Sequence, residues 1–456
     1  MNNKEILKTE KVLKLFIKLS IPAVLAQLVN LLYNVVDRMY IGHIDLIGKD
    51  ALTGVGVTLP VILFISAFAS LCGMGGAPKA AIKMGENDHN YANKILGNCM
   101  SLTIIMAIIL TIIFQVFSKD LLLAFGASEN TITYANDYLS IYSLGTIFVM
   151  LSLGLNMFIT TQGFSTRSML NVIIGALANI ALDPLFIFTF NMGVKGAALA
   201  TIISQAIASI FVISFLLSKK SKLKITTNNL KLDFKVILPC VALGIAPFIM
   251  QSTESVLSIC FNTSLYKYGG DLAVGSMTIL SSLMGFAMMP LQGFTQGAQP
   301  IISYNFGAKE PERCKQAFKI LFVTCIVYSF IFWALIMIMP SSFIKVFTED
   351  TKLIEYASWA LRIYMAVICM FGIQIACQQT FISLGNAPIS LFLALLRKVI
   401  LLIPLIYILP NFFENKTNAV FLAEPIADLI AVSTTFITFL IVFNKTMKNV
   451  VKKDII

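Results

Sequence analysis

"GGAPKAAIKMG" (Gly75 to Gly85) and "QGAQPIISYNFG" (Gln296 to Gly307) decide how this chain folds. One shift of 222 residues lays Gly75 on Gly297, Pro78 on Pro300 and Gly85 on Gly307. The same shift lays Phe125 on Phe347, Ile132 on Ile354, Tyr134 on Tyr356 and Ala135 on Ala357. It carries "YLSIY" (Tyr138 to Tyr142) onto "ALRIY" (Ala360 to Tyr364), and Gly163 onto Gly385. A constant offset held over this distance marks an internal repeat, because Gly, Pro and Tyr matches are rare by chance in an apolar chain. The repeat divides the sequence into residues 1–217, a Lys-rich linker 218–235 and residues 236–456.

The composition says what the repeats are made of. Of 456 residues, 57% are hydrophobic and only 12% charged. A soluble domain carries about 25% charge. The apolar residues run in stretches of about 20, the length that crosses a hydrocarbon core as a helix. Twelve spans are expected, near 15–41, 52–75, 92–117, 134–160, 167–190, 194–217, 236–262, 273–303, 313–339, 354–382, 388–410 and 417–444. Helices satisfy every backbone group internally in lipid, and the alternating pattern of a barrel is absent. The expectation is an all-α polytopic membrane protein. It has two six-helix bundles related by a pseudo-two-fold axis along the membrane normal, since an even span count keeps both repeats in the same sense.

The net charge of +11 is not a nucleic-acid signal. Basic residues crowd the N-terminal segment (Lys4 to Lys18), the loops after even-numbered spans and the C-terminus (Lys445 to Lys453). The remaining loops hold Lys49, Lys119, Lys195, Lys267, Lys345, Lys352 and Lys416. The positive-inside rule then places both termini in the cytoplasm of a plasma-membrane protein. The first apolar stretch is too long and too polar for a cleaved signal peptide. The eight cysteines are scattered, with no C-x-x-C pair, and read as small packing residues. His43 and His89 fall in loops. Neither a metal cluster nor an enzyme's nucleophile constellation is expected, and no cofactor.

Polar residues at membrane depth are costly and mark function. In span 1, Asn30, Tyr33, Asn34 and Asp37 recur at i, i+3, i+4 and i+7 on one face. In span 5, "GALANIALDPLFIF" sets Gly175, Asn179 and Asp183 four apart. Pro184 follows and cannot donate to the Ile180 carbonyl. Two carboxylates with amide and carbonyl oxygens suit Na⁺ at Asp37, Asn179 and Asp183, or a shared proton. "QSTESVLSICFN" in span 7 aligns Gln251, Glu254 and Ser258 as a second polar set. "AEPIAD" opens span 12 with Glu424 and Asp428, which read as interfacial acids near a helix start. Arg38, Arg397 and Lys398 have no role in this reading.

At these residues the chain resembles the multidrug and toxic compound extrusion family. The resemblance rests on "NVVDRMYIG" (Asn34 to Gly42), on "TTQGFSTRSMLNVIIGALANIALDPLFIFTFNMGVKGAALAT" (Thr160 to Thr201) and on "SLMGFAMMPLQGFTQGAQPIISYNFGAK" (Ser282 to Lys309). It implies a Na⁺- or H⁺-coupled antiporter that exports structurally diverse amphipathic, often cationic drugs by alternating access. The family's coupling site falls on Asp37, Asn179, Asp183 and Thr201, and its second-lobe acid on Glu254. The second-lobe acid of span 10 has no counterpart here, where only Gln374 and Gln378 are polar. A lipid-linked saccharide flippase of the same superfamily is the alternative. It calls for a cationic cleft, whereas the spans hold four basic residues spread over spans 1, 10 and 11. The expected partners are small-molecule drugs, organic cations and the lipid bilayer, with the chain a monomer.

Overall fold

The computed structural model describes residues 6–44 and 47–452. Lys4 and Lys453, counted in the charge bias, lie outside them. The described chain is helical throughout, with no strand. Nine helices among the described residues are long and apolar enough to span a membrane, and two sharply bent pairs each make one more. One of the nine, Phe234–Gly307, is 74 residues long. At 1.5 Å per residue a straight helix of that length would be more than three times as long as a hydrocarbon core is thick. It turns at Gly270, whose φ of 64° is open to glycine and strained for other residues. Residues 234–269 are span 7 and residues 271–307 span 8, which completes twelve.

Span 1 is Val12–Gly42, span 2 Leu59–Gly85 and span 3 His89–Ala124. Span 4 bends by 58° between Ile132–Leu144 and Thr146–Thr161, and span 10 by 47° between Thr351–Tyr364 and Ile368–Ser383. Span 5 is Ser165–Thr189, span 6 Gly193–Leu217, span 9 Pro311–Ile338, span 11 Ala387–Asn411 and span 12 begins at Lys416. Span 2 is the largest departure from expectation. It runs to Gly85 instead of ending near residue 75, and "GGAPKAAIKMG" is helix rather than loop. Its composition hid this. Gly and Ala lower hydropathy, but they let helices cross at close range.

Those crossings display the repeat. A Cβ on Gly85 would strike the Tyr304 carbonyl, and one on Gly307 would strike the Ile82 carbonyl. Each contact is the other displaced by 222 residues. Gly75 sits against Cys240 and Gly244 of span 7, while Gly297 sits against Ser20 of span 1. The two lobes therefore meet through reciprocal backbone contacts of spans 1, 2, 7 and 8. Gln251 donates to Ser70 Oγ at 2.8 Å across the same seam, and Phe248 packs between Phe64 and Phe68.

These contacts lie from mid-span to the side that carries the linker. Among the described residues, no hydrogen bond, ion pair or ring contact joins the lobes on the far side of Gln251. Glu254, the next turn of span 7 beyond Gln251, has a side chain 59% exposed. A carboxylate at that depth needs water or a basic partner. The polar and ring contacts that join the lobes are concentrated toward the linker side, and Glu254 is exposed beyond them.

The linker is docked. Gln162 Oε1 accepts from the backbone N–H of Lys222 (2.6 Å) and Leu223 (3.0 Å). Asn98 and Lys94 of span 3 bind the Asp233 end, the latter as an ion pair at 2.6 Å. Asp233 is held below the usual carboxylate range by the Lys94 ammonium and the Lys235 N–H.

Candidate functional site

Span 5 carries the first half of the site. Asn179 and Asp183 are fully buried and one turn apart. Asn179 Nδ2 donates to Asp183 Oδ1 at 3.2 Å and to Thr201 Oγ1 of span 6 at 3.4 Å. Thr201 Oγ1 in turn donates to the Ala197 carbonyl at 3.0 Å. The helix changes pitch immediately after Asp183. Pro184 offers no N–H, and Leu185–Thr189 continues as π-helix. That loosened turn fixes the level at which the Asp183 carboxyl leaves the helix.

Span 1 supplies the second half. The carboxyl of Asp37 lies near that of Asp183, close enough for the two to act on each other. Three oxygens here are buried and have no hydrogen-bond partner among the described residues: Asp37 Oδ1, Asn179 Oδ1 and Asp183 Oδ2. Two adjacent carboxylates in low dielectric are costly unless a positive charge or a proton is shared between them. Arg38 is the nearest basic group acting on Asp37, and it is exposed. The donor set is all oxygen, which fits a hard monovalent cation or a proton.

Not all of the span 1 face joins the site. Tyr33 lies near enough to both carboxyls for their charges to act on it. Asn30 and Asn34 are exposed, and Asn34 Nδ2 bonds the Asn30 carbonyl at 2.6 Å. A helical face drifts by about 20° per seven residues, and the partner covers only its end. Span 4 adds two residues that the sequence reading passed over. Tyr138 and Tyr142 are buried and stacked at 5.8 Å between ring centroids, near enough to Asp37 for its charge to act on both. Their i, i+4 spacing within "YLSIY" was the available signal.

The second lobe uses the equivalent helices differently. Lys398 of span 11 is buried, and its Nζ donates to the Met250 carbonyl at 2.7 Å and to Glu254 Oε1. Arg397 Nε donates to Asp428 at 2.6 Å, and its Nη2 to Glu424 at 2.9 Å. The guanidinium also lies over the Phe371 ring, 4.5 Å from the centroid. Arg397 and Lys398 sit in a π-helical stretch, Leu396–Leu402, just ahead of Pro404. Glu424 and Asp428 are therefore not interfacial acids. Span 12 starts at Lys416, two turns earlier, and both are buried against Arg397. Gln251 points across the seam to Ser70, and Ser258 is exposed, so neither converges with Glu254. Gln374 donates to Gln378 at 3.3 Å, and Gln378 reaches Met250 Sδ.

Twelve spans in two repeated lobes, each holding buried charged groups, are the architecture of a membrane transporter. The MatE family profile matches residues 22–185 and 247–408, and the chain belongs to that family. It is a multi-pass transport protein and not an enzyme. It is 26% identical over 402 residues to the multidrug export protein MepA of Staphylococcus haemolyticus (strain JCSC1435), covering 88% of each chain. The MepA of Staphylococcus aureus (strain NCTC 8325 / PS 47) is 24% identical over 88% of each. The solved structure of the MATE multidrug transporter DinF-BH matches with a TM-score of 0.87 and 34% identity, over 96% of both chains. An outward-facing MATE family transporter of the MOP superfamily matches in fold with a TM-score of 0.90, at 21% identity over 98% of this chain and 99% of that one.

Proposed function

We propose that this chain exports amphipathic, often cationic drugs by cation-coupled antiport, with Asp37 and Asp183 as the coupling pair. The observation that carries the reading is the set of three buried, unpartnered oxygens from Asp37, Asn179 and Asp183. The similarity to MepA and to the DinF-BH transporter supports the export of drugs. The positive-inside bias supports a cytoplasmic linker side in a plasma membrane. The opposite side is then the outer one.

In this cycle drug enters from the linker side while the Asp37–Asp183 pair is without a cation. The reciprocal glycine contacts then close that side, as they do here. Na⁺ or a proton arrives from outside, removes the repulsion between the two carboxylates and draws span 1 against span 5. Drug leaves through the opposite side, and the cation returns inward down its gradient. Coupling requires the cation to prefer one state. About 5.5 kcal/mol of differential binding converts a 1:99 population to 99:1. A cation that merely bound equally in both states would drive nothing.

The test is dye efflux from proteoliposomes with imposed Na⁺ or pH gradients. The driving gradient identifies the ion. Asp37→Asn should lose gradient-driven efflux while still binding dye. Normal driven efflux by that variant would end the proposal.

A further inference from the structure

A cavity of about 1110 Å³ opens at the linker side, away from the coupling pair. Its basic lining comes from three places: Lys8 in the N-terminal segment, Arg167 at the start of span 5, and Lys219, Lys220, Lys222 and Lys224 in the linker. Lys18 also lines it and shares Glu10 with Lys14, at 3.7 and 3.0 Å. Among the described residues, no Asp or Glu lines the cavity. The nearby acids are engaged elsewhere. Glu86 pairs with Lys83, and Asp88 caps the Tyr91 N–H.

The cavity is built rather than a loose run of charge. Gln162 and Asn93 hold the linker backbone at Lys222 and Lys224, so the lysines have fixed origins. Lys222 is the clearest case. Among the described residues its Nζ reaches only a neutral acceptor, the Gln162 carbonyl at 3.2 Å, and lies over the Phe164 ring. Burial pushes its ammonium below the ordinary lysine value. A cation held from water without a counter-charge favours an anionic ligand. Leu15, Leu19 and Phe215 give the wall an apolar stretch, beside polar Asn87, His89, Thr166, Ser221 and Tyr304.

We propose that this cavity is a binding site for a phosphate-bearing anion, held by Arg167 and the linker lysines. Its headgroup charge would replace the missing carboxylates, as phosphate does in arginine- and lysine-lined sites. A phospholipid headgroup and a free phosphate compound share that chemistry. The apolar stretch gives the lipid somewhere to lay an acyl chain. The two sides of the cavity belong to parts that separate when the linker side opens. The N-terminal segment is fastened to span 8 and span 9 through Asn305 and Arg313, whereas Arg167 and the linker are fastened to the first lobe. A bound anion therefore favours the closed linker side by mass action.

The test uses the purified full chain in phosphatidylcholine nanodiscs and needs no transport, so it stands apart from the export reading. Short-chain phosphatidylglycerol and inorganic pyrophosphate are titrated separately, and bound ligand is counted by native mass spectrometry. Retention of phosphatidylglycerol alone identifies a lipid headgroup; retention of pyrophosphate identifies a soluble source. The R167Q/K219Q/K222Q variant should weaken binding about a hundredfold, from about a fivefold loss per charge. R167K/K219R/K222R should bind as the parent does, which controls for folding. K445Q/K448Q, outside the cavity, should change nothing. Retention of neither ligand overturns the proposal, and so does equal weakening by the inside and outside variants.

Discussion

The two lobes build their polar sites on the same three helices of each repeat, spans 1, 5 and 6 against spans 7, 11 and 12, and balance charge oppositely. In the first lobe, Asp37 and Asp183 face each other with three oxygens left unpartnered. In the second, Glu424 and Asp428 are met by Arg397, and Glu254 by Lys398. One lobe lacks a cation of its own, and the other carries two. The repeat supplied the scaffold twice. Divergence at a few positions left one copy with unmatched carboxylates and made the other a self-neutralised network. Buried ion pairs hold geometry well but seldom add stability over an apolar core. The second lobe is thus suited to stay fixed while the first responds.

Experiments can break or sharpen this contrast. The largest effect belongs to the coupling pair. Asp183→Asn should reduce gradient-driven efflux to that of protein-free vesicles, forfeiting up to about 5.5 kcal/mol of state preference. Persistence of driven efflux would place coupling in the other lobe. Next comes Arg397→Ala, which leaves two buried carboxylates unmatched and should destabilise the protein by about 3–5 kcal/mol. A drop in melting temperature in detergent would show it, and adding Glu424→Gln with Asp428→Asn should recover part of the loss. Gly85→Ala and Gly307→Ala should each cost the linker-side-closed state about 1–3 kcal/mol through overpacking against a backbone carbonyl. Spin-label distances across the seam would report the opening, and the two variants should behave alike because the contacts are reciprocal. Gln251→Ala should have the smallest effect, about 0.5–1.5 kcal/mol for its hydrogen bond to Ser70, read as a slight loosening of the same seam.

Much of this was legible beforehand. Asp37, Asn179 and Asp183 were readable as polar residues on apolar spans, Thr201 came from the family resemblance, and the structure sets them close together. What misled was helical periodicity taken alone. It grouped Asn30 and Asn34 with Asp37, and Gln251 and Ser258 with Glu254, although a partner helix covers only part of a face. The span 2 boundary was missed because hydropathy scores glycine and alanine as weak, while packing rewards them for close approach. Arg397 and Lys398 were silent for a different reason. A cation in a span has no readable role until its acid is known, and here the acids lie on other helices, 31 residues away for Asp428 and 144 for Glu254.

The sequence by itself determined the class of molecule, the repeat and which residues are too polar to be idle in a membrane. Those follow from composition, period and offset, which are properties of the chain in order. Only the tertiary structure decided that the first lobe's acids stand without a resident cation and the second lobe's with two. Charge balance depends on distances between helices, and the sequence order does not encode them directly.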